Sequence, residues 1–291
     1  MHGLSQPFRV TRGHKFRLSD YDPDDTGGFD SKDDGAELFA RQLESIREQQ
    51  EKLYAQGTWA VLLIFQAMDA AGKDSIIEHV MSGLNPQGCQ VFSFKAPSAE
   101  ELAHDFLWRT TQRLPERGRI GVFNRSYYEE VLVVRVRPEI LGAQRLPPAV
   151  VSKRIWKERF EDIVCFERHL ARNGVAVLKF FLHVSREEQK RRFLERLDIP
   201  AKNWKFSAAD VGERQRWGDY MAAYQDMIRH TATADAPWHV VPADHKWFTR
   251  LVVSSVIAER MQSLDLEFPT VDPAKRKELK AVEAALRRKG A

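Results

Sequence analysis

A chain of 291 residues with 43% apolar, 30% charged and 10% aromatic side chains is long enough for one large domain and too apolar for wholesale disorder, collagen or a coiled coil. The net charge is +4, yet residues 1–19 sum to +4, 20–37 to −7, 38–271 to +3 and 272–291 to +4. That placement excludes a uniformly basic nucleic-acid coat.

Residues 1–35 are rich in Asp, Gly and Pro, show neither period, and are expected to form a loose extended arm. Leu38, Phe39, Leu43, Ile46 and Leu53 predict an amphipathic helix over 36–56, ended by Gly57. The run from Ala60 to Phe65 reads as a strand buried on both faces, and a helix opens at Lys73 with Ile76, Ile77 and Val80. The alternation continues with a strand over 90–94, a helix over 99–114, a strand over 119–123 and a helix over 148–172. A strand over 175–184, helices over 186–197 and 208–230, a strand over 238–242 and a helix over 245–264 complete it. This order predicts one α/β domain over 36–271, with a parallel sheet of about five strands flanked by helices, and a basic tail or helix over 272–291.

Cys89 and Cys165 have neither metal-ligand nor disulfide-framework spacing and are expected in the core. The apolar runs fall far short of a membrane span, and no apolar signal core opens the sequence, so a soluble cytoplasmic protein is expected.

Between the first strand and its helix stands Gln66-Ala-Met-Asp-Ala-Ala-Gly-Lys-Asp-Ser75. A phosphate loop reads Gly-x4-Gly-Lys-Ser/Thr. Here Gly72-Lys73 keeps the second half, Ala67 replaces the first Gly, and Asp74 stands where the hydroxyl would be. The backbone of Ala70, Ala71, Gly72 and Asp74 at a helix start can face phosphate oxygens, with Lys73 adding a compact charge. Asp69 would repel that phosphate unless a cation lay between them, so Asp69 is the candidate metal ligand and Mg²⁺ the expected cofactor.

Two further segments should reach the same crevice, because ligands of open α/β sheets sit beyond the carboxyl ends of strands. The strand over 119–123 leads into Asn124, Arg125 and Glu129. Asn124 keeps an oxygen where Asp usually orients metal or water, and Arg125 can grip phosphate bidentately. Ser185 and Glu188 form a capping-box pattern, and Glu187–Arg191 and Glu188–Arg192 are i,i+4 pairs. The bland reading is a salt-bridged surface helix. Arg192, Arg196 and the nearby Lys205 also fit a mobile lid over about 185–210 that brings cations to a transferring phosphoryl group.

Met68-Asp-Ala-Ala-Gly-Lys73, Phe94-Lys-Ala-Pro-Ser98, His104-Asp-Phe-Leu-Trp-Arg109 and Phe123-Asn-Arg-Ser-Tyr-Tyr128 resemble the second family of polyphosphate kinases. So do Glu187-Glu-Gln189 with Arg192-Phe193, Asn203-Trp-Lys-Phe-Ser207 and Pro237-Trp-His-Val-Val-Pro-Ala-Asp244. The resemblance implies a P-loop-kinase-like domain with a helical lid that moves phosphate reversibly between inorganic polyphosphate and adenine nucleotides with Mg²⁺. It implies catalysis and phosphate binding for Asp69, Lys73, Arg125 and Arg192. The family usually has Asp at the position of Asn124. Asn there, with Glu129, is similar to the subgroup that phosphorylates both AMP and ADP.

The expected partners are inorganic polyphosphate, adenine nucleotides and further copies of the chain, with 36–56 and 251–257 as segments that either pack internally, the commoner use of such faces, or form subunit contacts. No nucleic acid or membrane partner is expected. Two rivals stand beside this reading: an ATP-dependent nucleoside or nucleotide kinase on the same fold, and a nucleotide- or nucleic-acid-binding regulator. Polyphosphate in place of ATP separates the first, and only the short tail, without aromatics, has the basic character of the second.

Overall fold

The computed structural model describes residues 3–205 and 208–287, without the side chains of 202, 204, 205 and 208–210. Along the chain come β1 (Arg9–Val10), α1 (Lys32–Gln56), β2 (Ala60–Ala67), α2 (Lys73–Val80), β3 (Cys89–Ser93), α3 (Ala99–Leu102) and α4 (Trp108–Thr111). Then follow β4 (Ile120–Asn124), α5 (Val133–Val136), α6 (Pro138–Ala143), α7 (Ile155–Arg172), β5 (Val175–His183) and α8 (Arg186–Asp198). The last are α9 (Ala208–Gln215), α10 (Trp217–Thr231), β6 (Trp238–Pro242), α11 (Lys246–Gln262) and α12 (Pro273–Arg287).

The strands form one sheet in the order β1-β6-β5-β2-β4-β3, parallel except for β1 against β6. All eight residues of β2 are buried, which is what a continuous apolar run between two parallel neighbours requires. α2 and α11, with α1 packed outside α11, cover one face, while α7 and α10 cover the other. Local chemistry fixes α1: the Ser31 hydroxyl accepts from Asp34 N–H, the Asp34 carboxylate accepts from Ser31 N–H, and Gly57 ends the helix at φ 61°.

The arm departs from its expectation. Phe8, Val10, Phe16 and Leu18 are all buried, and Val10 pairs with Trp238. The sheet therefore has six strands rather than five, because the arm covers the edge that β6 would otherwise present to water.

The helix expected over 99–114 is two short turns. The Asp105 carboxylate captures Leu107 N–H and interrupts the helical ladder. The helix expected from 148 begins at Ile155, since Pro147-Pro148 set a separate 3₁₀ turn. The one expected over 208–230 breaks at Arg216. Cys165 is exposed and Cys89 half-buried, against the core placement expected for both. Phe160, Ile163, Glu167 and Leu170 make the buried stripe of α7, and Cys165 falls off it. No helix among the described residues is long and apolar enough to cross a membrane.

Candidate active site

β2 and β4 run side by side, with Phe65 opposite Asn124. This register delivers the Met68–Lys73 loop and the Asn124–Glu129 turn to one crevice. Ala70 at φ 63° and Gly72 at φ 101° both take the left-handed conformation and curl the loop tightly. Lys73 Nζ folds back and donates to the carbonyls of Ala67 (2.8 Å) and Met68 (3.3 Å). Its burial, helped by the nearby Arg125 charge, lowers its pKa to about 8. Asp74 accepts a 2.6 Å hydrogen bond from Asn124 Nδ2, tying the start of α2 to the end of β4.

Arg125 is also left-handed, at φ 65°, and its N–H is held by the Phe65 carbonyl at 3.0 Å. Its guanidinium forks between two carboxylates: Nη2 donates to Asp69 Oδ1 at 2.7 Å and Nη1 to Glu129 Oε2 at 3.2 Å. Glu129 above all, and Asp69 after it, push the Arg125 pKa upward, so its charge is permanent. Gln66, fully buried at the end of β2, donates to the other Glu129 oxygen at 3.0 Å. Two acids around one guanidinium leave a local excess of negative charge. Among the described residues no group of three or more His, Cys, Asp or Glu is arranged to hold a metal. A carboxylate beside a phosphate-facing loop is the donor Mg²⁺ uses when phosphate supplies further ligands, so Asp69 is the residue here that would hold the ion.

Beside this fork lies a cleft of about 650 Å³, lined among others by Asp69, Arg125, Glu129, Arg109, Tyr220 and Tyr224. That volume suits a nucleotide-sized ligand. Arg137 Nη1 donates to Glu213 at 2.6 Å, and Tyr220 donates to the same carboxylate at 2.5 Å, joining the helices that wall the cleft.

The structure gathers Asp69, Ala70, Ala71, Gly72, Lys73, Asp74, Asn124, Arg125 and Glu129 into this crevice. α8 is built differently from its sequence reading. Ser185 caps Glu188 N–H at 3.0 Å, but the box is not reciprocal: Ser185 N–H goes to Asp244 at 2.8 Å. The Glu188 carboxylate binds Arg192, as the i,i+4 spacing predicts, and also Arg191, which thus pairs one residue away from the expected Glu187. Arg192 is 4% exposed and faces the back of the phosphate loop. Arg196 is half-buried with its guanidinium 5.7 Å from the Phe193 ring centre. The Lys205 side chain lies outside the described residues.

A buried network under the Arg125 turn was not anticipated. Tyr127 and Tyr128 donate to Glu167 Oε1 at 2.8 and 2.7 Å, and Lys179 donates to Glu167 Oε2 at 2.6 Å. Lys179 also meets Tyr128 Oη and the Thr231 carbonyl, each at 2.9 Å. Burial, reinforced by Glu167, drives both tyrosine pKa values well above 10.0. The signal was present: a Lys inside an apolar strand run must find a partner.

A family model described as polyphosphate kinase 2 (PPK2) matches residues 28–269. The chain is 56% identical over 276 residues to the ADP-polyphosphate phosphotransferase of Rhodopseudomonas palustris, covering 94% of this chain and 96% of that one. It is 42% identical over 271 residues to the AMP/ADP-polyphosphate phosphotransferase of Meiothermus ruber, covering 93% and 97%. Among solved structures, polyphosphate kinase 2 from Arthrobacter aurescens TC1 superposes with a TM-score of 0.87 at 40% identity, covering 97% of each chain. With the site geometry and these likenesses over nearly its whole length, the chain belongs to the polyphosphate kinase 2 family.

Proposed function

We propose that the protein is a polyphosphate:nucleotide phosphotransferase that moves the terminal phosphate of inorganic polyphosphate to AMP and ADP, and runs in reverse when the donor is short. The observation that carries this reading is the Asp69–Arg125–Glu129 fork, which lines the cleft and whose charges act on the buried Lys73. An acceptor phosphate oxygen attacks the terminal phosphorus of the donor, the P–O bond to the chain breaks, and polyphosphate leaves one unit shorter. Lys73 and Arg125 lower the repulsion between the two anions and orient them, which is most of what such a transfer needs. Bound Mg²⁺, held through Asp69, supplies further charge neutralisation on the phosphate oxygens. In this reading the lid expected over 185–210 is confined to the stretch after Arg192, since the bonds of Gln189 and Arg192 fix the start of α8 to the phosphate loop, and the enzyme works in the cytoplasm with its nucleotides.

The relatives differ in acceptor, one being named for ADP and another for AMP and ADP. Use of AMP as well as ADP is supported by Asn124 and Glu129, which resemble the dual-acceptor subgroup. The test follows ADP and ATP formed from AMP, polyphosphate and Mg²⁺. Sequential appearance of ADP and then ATP is expected. Product with ATP as donor and none with polyphosphate would replace this reading by an ordinary nucleotide kinase.

A further inference from the structure

Gln189 and Arg192 lie one turn apart on α8 and hold three consecutive carbonyls of the phosphate loop. Gln189 Nε2 donates to Asp69 O at 3.0 Å, and Arg192 Nη1 donates to Ala70 O at 3.1 Å and Ala71 O at 2.9 Å. Arg192 Nη2 donates to the carbonyls of Ala243 (2.6 Å) and Asp244 (3.0 Å), and Nε to Glu188 Oε1 at 2.6 Å. Those five bonds engage all five N–H donors of a guanidinium. A side chain so spent, and 4% exposed, has nothing left to offer a phosphate oxygen.

The consequence lies on the opposite side of the loop. A planar trans peptide points the N–H of one residue away from the C=O of the residue before it. Carbonyls of Asp69, Ala70 and Ala71 drawn toward α8 therefore turn the N–H groups of Ala70, Ala71 and Gly72 away from it. The Ala71 N–H closes a long 3.3 Å turn on Met68 O. Among the described residues, the N–H groups of Ala70, Gly72 and Lys73 meet no acceptor. Successive N–H groups left open in a curled loop make an anion-binding concavity. The grip is braced from a second helix: Arg214 Nη1 on α9 donates to Gln189 Oε1 at 3.0 Å and to Arg186 O at 2.7 Å.

We infer that Gln189 and Arg192 are positioning residues that fix the loop carbonyls so that the N–H groups of Ala70 and Gly72, beside that of Lys73 at the start of α2, form a preset nest for substrate phosphate, and that Arg192 itself does not touch the substrate. This rests on the phosphate-transfer reading above.

The test measures tripolyphosphate binding calorimetrically over a salt series for the full chain and for Arg192→Gln, Gln189→Leu and Lys73→Ala, each checked for folding by circular dichroism. Arg192→Gln and Gln189→Leu are expected to weaken binding by about 10-fold or more, as loss of an outer supporting partner does. The slope of log affinity against log salt should stay that of the parent, and amide exchange at Ala71, whose N–H closes the turn on Met68, should accelerate. A slope reduced by about 0.7–1 in Arg192→Gln would mark a lost phosphate contact and overturn the inference. So would folded variants that bind within about twofold of the parent, well short of an outer-partner effect. Should Arg192→Gln not fold, Gln189→Leu decides alone on affinity and amide exchange. Parent-like binding by Lys73→Ala would instead bring down the phosphate-loop reading beneath it.

Discussion

Asp69 and Arg125 face each other at 2.7 Å across the gap between two strand-end loops, 56 residues apart in sequence. One guanidinium serves both Asp69 and Glu129, and Lys73 feels the same two carboxylates and Asp74, so in the proposed reaction the surplus acid would serve a cation and the loop amides an anion. The arrangement separates the two roles within a few ångströms.

Arg125→Lys keeps the charge but cannot fork between two carboxylates. The variant should fold and lose about 10²–10³-fold in kcat, the scale of one removed electrostatic stabiliser. Steady-state rates of ATP formation from ADP and polyphosphate check it. A variant within a few-fold of the parent would show that the fork is only structural.

Lys73 carries a pH prediction. Its pKa is lowered from 10.5 to about 8 by burial first and Arg125 second. Only the charged form neutralises phosphate, so kcat/KM for the free enzyme should fall on an alkaline limb near pH 8, and Lys73→Arg should move that limb upward. Stability has the opposite sign. The unfolded lysine holds its proton up to 10.5 while the folded one releases it from about 8, so the unfolded state binds more protons in between. This group therefore stabilises the fold increasingly as pH rises above 8. Cys89 and the buried tyrosines, whose pKa values burial raises, oppose the gain at alkaline pH but do so equally in parent and Lys73 variant, so they cancel in the comparison. Urea midpoints at pH 7.5 and 9.5, parent against Lys73→Met, test it; no difference between them would refute it.

Asn124→Asp places a second carboxylate where Asn124 Nδ2 now meets Asp74 at 2.6 Å. Two carboxylates in contact cannot both stay ionised without a cation between them. The variant should melt earlier than the parent in EDTA and gain more from millimolar Mg²⁺. Melting curves with and without the ion measure this directly, and equal Mg²⁺ responses would rule out a metal position there.

The sheet was legible because its central strands are continuous apolar runs: β6 matches its expected bounds, and β4 and β5 lie within one residue of theirs. The arm was illegible for the converse reason. Its buried apolar side chains come as two i,i+2 pairs, Phe8/Val10 and Phe16/Leu18, on either side of Gly13, too short a pattern to register as a strand. Lys73, Asp69 and Arg125 were visible because loop chemistry is local. Of the bonds of Arg192 only the one to Glu188 was, since its four other acceptors are backbone carbonyls contributed by two distant segments, and a carbonyl has no sequence signature.

The Lys179–Glu167 pair gives the remaining prediction. It lies at 2.6 Å with both side chains essentially without solvent, and Glu167 anchors the two tyrosines that follow Arg125 and Ser126. Lys179→Met removes the cation and leaves a buried carboxylate facing only hydroxyl donors, a loss of about 3–5 kcal/mol. Glu167→Gln added to it removes the stranded charge, keeps an amide oxygen for the tyrosines, and should restore most of that loss. Urea unfolding of the parent, both single variants and the double variant gives the coupling. A double variant as unstable as the sum of the singles would mean that packing, not charge compensation, holds the Arg125 turn in place.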